Sequence, residues 1–444
     1  MKTFPKGGVH PEENKFAASV PIADFPLPKQ GVVFVSQHLG QPSTPVVAVG
    51  DKVKVGQLLA KAEGFICSNT HSPYSGTIKK IDLAKDTNGY SKPAIYIDVE
   101  GDEWDESIDR SSTLKKEITL SREEIVQRMK DMGVVGLGGA SFPTQVKYTI
   151  SPDKKPDFLI VNGVECEPYL TSDYRLMLEC GEELMVGIEI AKKAMGVNIA
   201  KVGIENNKPE AIAYLQKLAS KYPGTEIHPL KVKYPQGAEK QLIKALTGRE
   251  VPSGKLPIEV GCVVNNVGSI YAIYEAVQKN KPVFENVLTI SGKSVKTPKN
   301  LRVRVGTMIS DIINEAIGGL PEDTGKVING GPMMGKAMTT LDAPTSKATS
   351  SILIMTEKEA KRSRETACIR CGKCVSACPM GLEPYLLQSY IDKEMWEDAE
   401  KECVMDCIEC GSCLFSCPAN KPLLDSLRVG KSKVGAIRRA RTQK

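Results

Sequence analysis

DFLIVNGVECEPYLTSDYRLM, spanning Asp157–Met177, is where the fold is decided. Its start is a short apolar run that predicts a buried strand, and the run gives way to a polar, acidic loop. The helical pattern GEELMVGIEIAKKAMG (181–196), the strand KVGIEN (201–206) and the helix KPEAIAYLQKLASKY (208–222) follow. A β-α-β-α alternation predicts a mostly parallel sheet with helices on both faces, three layers in all. Ligands of such sheets sit beyond the carboxyl ends of the strands. That places Asn162, Glu165 and Glu167 at a candidate site. Further on, YPQGAEKQLIKALTG (234–248) predicts a helix starting near Gly237, whose N-terminus suits an anion. CVVNNVGSIYAIYEAV (262–277) predicts a strand, the Asn265–Asn266 pair and a helix.

On the N-terminal side, SREEIVQRMKDMG carries Ser121 as N-cap with Glu124 in the capping-box position, predicting a helix that ends at Gly133. GVVGLGGASFPTQVKY (133–148) then supplies Gly133, Gly136, Gly138 and Gly139. Consecutive N–H groups in such a loop can cradle a phosphate or underlie a ring system. It is not the dinucleotide fingerprint: it follows a helix, and Ser141 stands where a third glycine belongs. Earlier still, residues 30–100 alternate short apolar strands with turns. VGDKVKVGQLLAKAEGFICSNTHSPYSGTIKKI (49–81) resembles a biotinyl/lipoyl-type barrel-sandwich, but its tip has no carrier lysine. The expectation is therefore a structural or docking module, with Cys67 and His71 as turn residues.

On the C-terminal side, 287–338 predicts two strands, a helix closed by Gly318 or Gly319, and a strand leading into NGGPMMG, a small β-grasp unit. Nine of the 13 cysteines follow, between Cys368 and Cys417. CIRCGKCVSACP and CIECGSCLFSCP share the spacing C-x2-C-x2-C-x3-C-P. Zinc knuckles have no use for a third cysteine at that spacing. Two-cluster iron–sulfur modules use three cysteines from one run and the fourth from the other. This assigns Cys368, Cys371, Cys374 and Cys417 to one 4Fe–4S cluster, and Cys407, Cys410, Cys413 and Cys378 to a second. Leu386, Leu387, Tyr390, Ile391 and Met395 predict an intervening helix, and Cys403 is read as a packing thiol.

The chain has 444 residues and a net charge of +6, with seven Lys/Arg and no acid in 428–444. The tail is expected to be a solvated basic end. No aromatic residue interleaves with these charges, which speaks against nucleic acid. No apolar run is long enough for a membrane span, and MKTFPKGGVHPEENK lacks a signal-peptide core. A reducing compartment is expected, favouring metal-ligating thiols over disulfides.

GVVGLGGASFPTQVKY, LIVNGVECEP, PQGAEKQL and CVVNNVGSIYAI, in this order, resemble the FMN- and NADH-binding flavoprotein subunit of respiratory complex I. With the barrel-sandwich in front and the two cysteine runs behind, the whole chain is more closely similar to the RnfC subunits of Rnf ion-translocating ferredoxin:NAD oxidoreductase complexes. The resemblance implies a multidomain α/β protein. Its expected parts are a barrel-sandwich at 1–115, a Rossmann-like FMN/NADH domain at 116–282 and an SLBB β-grasp domain at 283–352. A helical two-cluster ferredoxin-like domain at 353–427 and a basic tail at 428–444 complete it. It implies non-covalent FMN held by Gly136, Gly138, Gly139, Lys147, Asn162, Glu165, Gly237, Asn265 and Asn266. Glu239, Phe142 and Glu167 would face the nicotinamide or its entrance. The implied activity is net ferredoxin:NAD+ oxidoreduction with electrons passing between NAD(H), FMN and two 4Fe–4S clusters. Integral partner subunits would move Na+ or H+, with this chain peripheral on the cytoplasmic face of the membrane. Three positions depart from the complex I pattern: Leu137 replaces an arginine, Val164 an aspartate and Gly268 a glutamate. These departures keep a flavin-free electron-relay and docking subunit as the alternative.

Overall fold

Phe158–Asn162, Ile199–Glu205, Thr225–Leu230 and Cys262–Asn266 form a wholly parallel four-stranded sheet in the computed structural model, which describes residues 1–442. Leu159, Ile160 and Val161 are wholly buried. Each contributes about 1.5–3 kcal/mol by leaving water. They alternate between two cores: Leu159 and Val161 face one packed by the helices Gly181–Met195 and Val267–Gln278, Ile160 the other, against the helix Glu239–Thr247. The three-layer expectation is met. In chain order the strands lie 3-2-1-4, so the order reverses between Phe158–Asn162 and Cys262–Asn266. That reversal opens a crevice where open α/β sheets bind ligands. The register sets Asn162 opposite Asn266 at its mouth. The capping box of Ser121 and Glu124 forms as expected and starts the helix Arg122–Asp131.

The barrel-sandwich consists of a four-stranded antiparallel sheet, centred on Gly76–Lys85 and Ser91–Val99, facing a small three-stranded one. Its tip corrects one expectation. Cys67 lies in the loop between strands, buried, whereas His71 is a buried strand residue paired with Leu58. The β-grasp unit is a mixed six-stranded sheet with the helix Ile309–Ile317 against it, and Gly318 closes that helix in the left-handed conformation. An N-terminal strand, Ile22–Asp24, joins this sheet alongside Lys299–Arg304. The C-terminal module is helical: Pro384–Asp392 provides the helix expected between the cysteine runs, burying Leu387 and Ile391.

One further expectation holds with an addition and one is overturned here. The basic tail is solvated at Lys433, Arg438, Arg439 and Arg441, as expected, but it is the last part of a helix, Leu423–Thr442, which buries Leu423, Leu427, Gly430 and Val434. Gly430 is required there, because a Cβ would lie 2.4 Å from Ile391 Cδ1. Cys403 is exposed, with a left-handed φ of 58°, and so packs in no core.

Residues 2–20 form a strap across the modules. Phe4 is buried, Val9 and Tyr234 exchange backbone hydrogen bonds, and the Gly8 N–H donates to the Ala377 carbonyl in the cysteine module.

Candidate functional site

A cleft of about 560 Å3 opens at the strand reversal, within the size range of cofactor sites. The glycine turn forms one wall. Its Gly136 N–H donates to Phe142 O and its Leu137 N–H to Ser269 Oγ. Among the described residues, the N–H groups of Gly138, Gly139 and Ala140 have no partner within the chain. Three free donors along a cleft are what a phosphate or a flavin ring edge requires. Gly138 has no room for a side chain: a Cβ would lie 2.7 Å from Asn266 Cγ, whereas at Gly139 the space is open.

The N-terminus of Val267–Gln278 faces the same cleft. Asn266 caps it, its Oδ1 accepting from Gly268 N at 2.7 Å, while its Nδ2 donates to Asp173 at 2.7 Å. The first turn of this 12-residue helix presents positive potential at the cleft. Asn162 binds across the opening, donating to Gly237 O at 2.8 Å. Lys147 donates to Val264 O at 2.8 Å and lies 3.6 Å from Glu239, so the two form a charged pair on the rim.

The acidic loop is engaged within the fold as well as lining the cleft. The Glu165 carboxylate accepts from Asp173 N at 2.7 Å and Tyr174 N at 3.3 Å, capping the helix Ser172–Glu179. Glu167 accepts from Met333 N at 3.1 Å and Met334 N at 2.7 Å. It therefore ties the loop to the NGGPMMG turn, where Gly331 leaves the space the carboxylate fills. Burial raises the Glu167 carboxyl to about 7 against the pull of those two N–H groups. Burial and the neighbouring Glu165 raise the Asp173 carboxyl as well.

Of the residues expected to hold flavin, Gly136, Gly138, Gly139, Lys147, Asn162, Glu165, Gly237 and Asn266 line this one cleft, together with Phe142, Glu167 and Glu239, which were expected at the nicotinamide or its entrance. Asn265 does not line it. Neighbouring strand residues point to opposite faces, and Asn265 is buried behind the wall with its amide on Tyr148 Oη at 2.8 Å. The departures at Leu137, Val164 and Gly268 leave no charged side chain at these positions. Leu137 and Val164 are buried, Leu137 and Gly268 also line the cleft, and a Cβ at 268 would lie 3.0 Å from the capping oxygen Asn266 Oδ1.

The two cysteine runs repeat one backbone shape. Arg370 and Gly372 in the first, and Glu409 and Gly411 in the second, take left-handed φ of 53°, 71°, 57° and 76°. Each run thereby curls around its own centre and then enters a short helix. Cys378, Cys407, Cys410 and Cys413 surround a small cavity. Burial raises the Cys413 thiol well above its usual range, reinforced by Cys410, Cys407 and Cys378 beside it. Leu382 N and Glu409 N approach the sulfurs of Cys378 and Cys407 at 3.4 Å, the kind of donor that stabilises a thiolate-bound cluster. In the other set Cys374 is raised by burial and by Cys417, and Cys368 and Cys371 are exposed. The second run adjoins the cleft. Ile408 lines it, and Tyr234, which also lines it and packs in one cluster with Ile408, donates from Oη to Cys410 O at 2.8 Å.

Sequence reasoning missed the strap residue Lys15, whose ammonium donates to the carbonyls of Glu165, Glu167 and Leu170 at 2.8, 2.8 and 2.6 Å. No local motif marks it, because its partners lie in another module.

Family models match the chain in order along its length. They are the RnfC barrel sandwich hybrid domain at 2–102, the Nuo51 FMN-binding domain at 129–275, the SLBB domain at 287–337 and a 4Fe-4S dicluster domain at 360–418. The C-type subunit of the proton-translocating ferredoxin:NAD(+) oxidoreductase complex of Clostridium ljungdahlii is 46% identical, over 90% of this chain and 87% of that one. Its Na(+)-translocating counterpart of Acetobacterium woodii is 42% identical over 98% of both. The C-type subunit of the ion-translocating oxidoreductase complex of Rhodobacter capsulatus is 40% identical over 97% of this chain and 83% of its own. Among solved structures, an air-oxidized NAD+-reducing NiFe-hydrogenase shares the fold, with a TM-score of 0.50, 20% identity, and 71% of this chain and 63% of that one covered.

Proposed function

The chain belongs to the RnfC family, the C-type subunits of ion-translocating ferredoxin:NAD(+) oxidoreductase complexes, and we propose that it is the NAD(H)-reacting, peripheral member of such a complex. Other subunits of the same complex are its partners. No helix among the described residues is long and apolar enough to cross a membrane, so ion movement falls to those partners. The net reaction is ferredoxin:NAD+ oxidoreduction, with the chain docked on the cytoplasmic face of the membrane. Close relatives named for proton and for sodium translocation suit a division in which the ion is chosen outside this subunit.

One observation carries the assignment of the site. The cleft at the strand reversal offers three unpartnered N–H groups and a helix N-terminus, and its far edge touches a four-cysteine site through Ile408 and Tyr234. FMN, when bound, exchanges a hydride with nicotinamide and single electrons with iron–sulfur clusters. Gly138, Gly139 and Ala140 hold the flavin, with Asn266 and the N-terminus of Val267–Gln278 toward its phosphate. Lys147, Asn162, Gly237 and Glu165 orient it. Phe142, Glu239 and Glu167 border the space left for nicotinamide and exclude water from it. Cys378, Cys407, Cys410 and Cys413 hold the cluster beside the cleft. Cys368, Cys371, Cys374 and Cys417 hold the outer one, whose exposed edge faces a partner subunit.

Anaerobic reconstitution with iron, sulfide and FMN tests this reading. About eight iron atoms and one flavin per chain, with flavin bleaching on NADH addition, are expected. Full iron with no flavin and no response to NADH would leave the flavin-free relay subunit instead.

A further inference from the structure

The loop 164–170 holds an unfavourable shape. Glu165 and Tyr169 have φ of 48° and 70°, a region that non-glycine residues rarely occupy. Such a conformation persists only where its surroundings over-determine it. The α/β domain supplies part of that restraint: Lys208 Nζ donates to Val164 O at 2.9 Å and the Glu165 carboxylate accepts from Asp173 N. The rest comes from the N-terminal strap. Tyr169 N donates to Glu13 O at 2.9 Å, and Phe16 packs edge-on against the Tyr169 ring at 5.8 Å. Lys15 spends all three of its N–H donors on carbonyls of this loop, and among the described residues no carboxylate lies within ion-pair distance of its ammonium. Burial, with Lys208 close by, brings the group down to about 8 against the pull of Glu165 and Glu205. Three carbonyl acceptors call for three N–H donors, which only the ammonium form has.

We propose that Lys15 is a positioning residue for the cleft. Its ammonium draws three carbonyls inward, fixes the loop that carries Glu165 and Glu167, and leaves a positive charge behind the cleft wall that favours the electron-rich form of the bound cofactor. The proposal rests on the flavin reading above. It makes the cofactor site a composite of the strap and the α/β domain, and the domain without its strap is an incomplete site.

The test uses the full, iron-reconstituted chain carrying Lys15→Met, Lys15→Gln or Lys15→Arg, with iron content and far-UV circular dichroism to check folding. Oxidised and chemically reduced FMN are titrated separately. Lys15→Met is expected to bind oxidised FMN about tenfold more weakly, and reduced FMN about a further tenfold. The second factor equals a drop of about 30 mV in the two-electron midpoint potential. Lys15→Arg is expected to restore both. Wild-type affinity for both redox forms in Lys15→Met overturns the proposal, and equal weakening of both overturns its electrostatic part. Should Lys15→Met lose its iron, Lys15→Gln, which keeps a donor but not the charge, is read by the same two titrations. If the wild type itself binds no FMN, the flavin reading fails. The positioning claim is then decided by amide exchange at 165–170, which must rise in Lys15→Met and not in Lys15→Arg.

Discussion

Gly138 and Gly139 are adjacent, and the structure gives them opposite surroundings. In Gly138→Ala the new Cβ would sit 2.7 Å from Asn266 Cγ and Nδ2 and 2.9 Å from its Cβ, closer than real Cβ contacts come. Asn266 must therefore move. It then risks its cap on Gly268 N and its bond to Asp173, both 2.7 Å. A lost N-cap costs about 0.5–2 kcal/mol and over-packing about 1–3 kcal/mol. The two are one displacement counted twice, so a net loss of about 2 kcal/mol is expected. Gly139→Ala meets nothing within 4 Å, so the free chain should keep its stability to within about 0.5 kcal/mol. Its methyl group, however, enters the cleft. Thermal unfolding of the flavin-free chain and FMN titration by fluorescence quenching separate the two effects. Gly138→Ala should lower stability and weaken FMN at least about tenfold, or 1.4 kcal/mol. Gly139→Ala should weaken FMN alone. A Gly139→Ala chain that binds FMN normally would refute the placement of the flavin against this turn. An unchanged Gly138→Ala chain would refute the packing argument.

Lys347 is buried, donates to Asn69 O at 3.0 Å and Gly133 O at 2.7 Å, and is lowered by burial to about 7. The folded state thus binds fewer protons than the unfolded one between pH 7 and 10.5. Stability should rise with pH across that window, and the cost, on the order of 5 kcal/mol, is fully present below pH 7. Lys347→Met should flatten the dependence, and a wild-type minus variant difference that stays constant from pH 7 to 9.5 in denaturant unfolding counts against it. Cys413→Ser should remove about half of the bound iron, whereas Cys403→Ser, at an exposed position, should leave it unchanged, as iron assay and electron paramagnetic resonance would report.

The parts of this fold that were legible in the sequence are those whose causes are local. The apolar run 158–161, the capping box at Ser121 and the C-x2-C-x2-C-x3-C spacing each act within a few residues. Asn265 and Asn266 show the limit. Side by side in sequence, they are separated by the strand's alternation, and only the residue ending the strand reaches the cleft. The C-terminal helix was hidden by its charge. Leu423, Leu427 and Val434 carry the helical period, but Gly430 interrupts it, and what Gly430 accommodates is Ile391 on another helix. Lys15 was illegible for the same reason on a larger scale, since its three acceptors lie some 150 residues away.

The strap also sets a timetable for biogenesis. Gly8 must wait for Ala377, and Ile22–Asp24 for the strand Lys299–Arg304. At the usual ~5–20 residues per second of synthesis, Ala377 leaves the ribosome on the order of 20–70 s after Gly8. Gly8 and Ile22–Asp24 thus settle only after the cysteine module and the β-grasp sheet are made. Lys15 is on an earlier schedule, because Glu165, Glu167 and Leu170 all belong to the α/β domain. The strap is thereby fastened in two stages, first behind the cleft and then against the cysteine module.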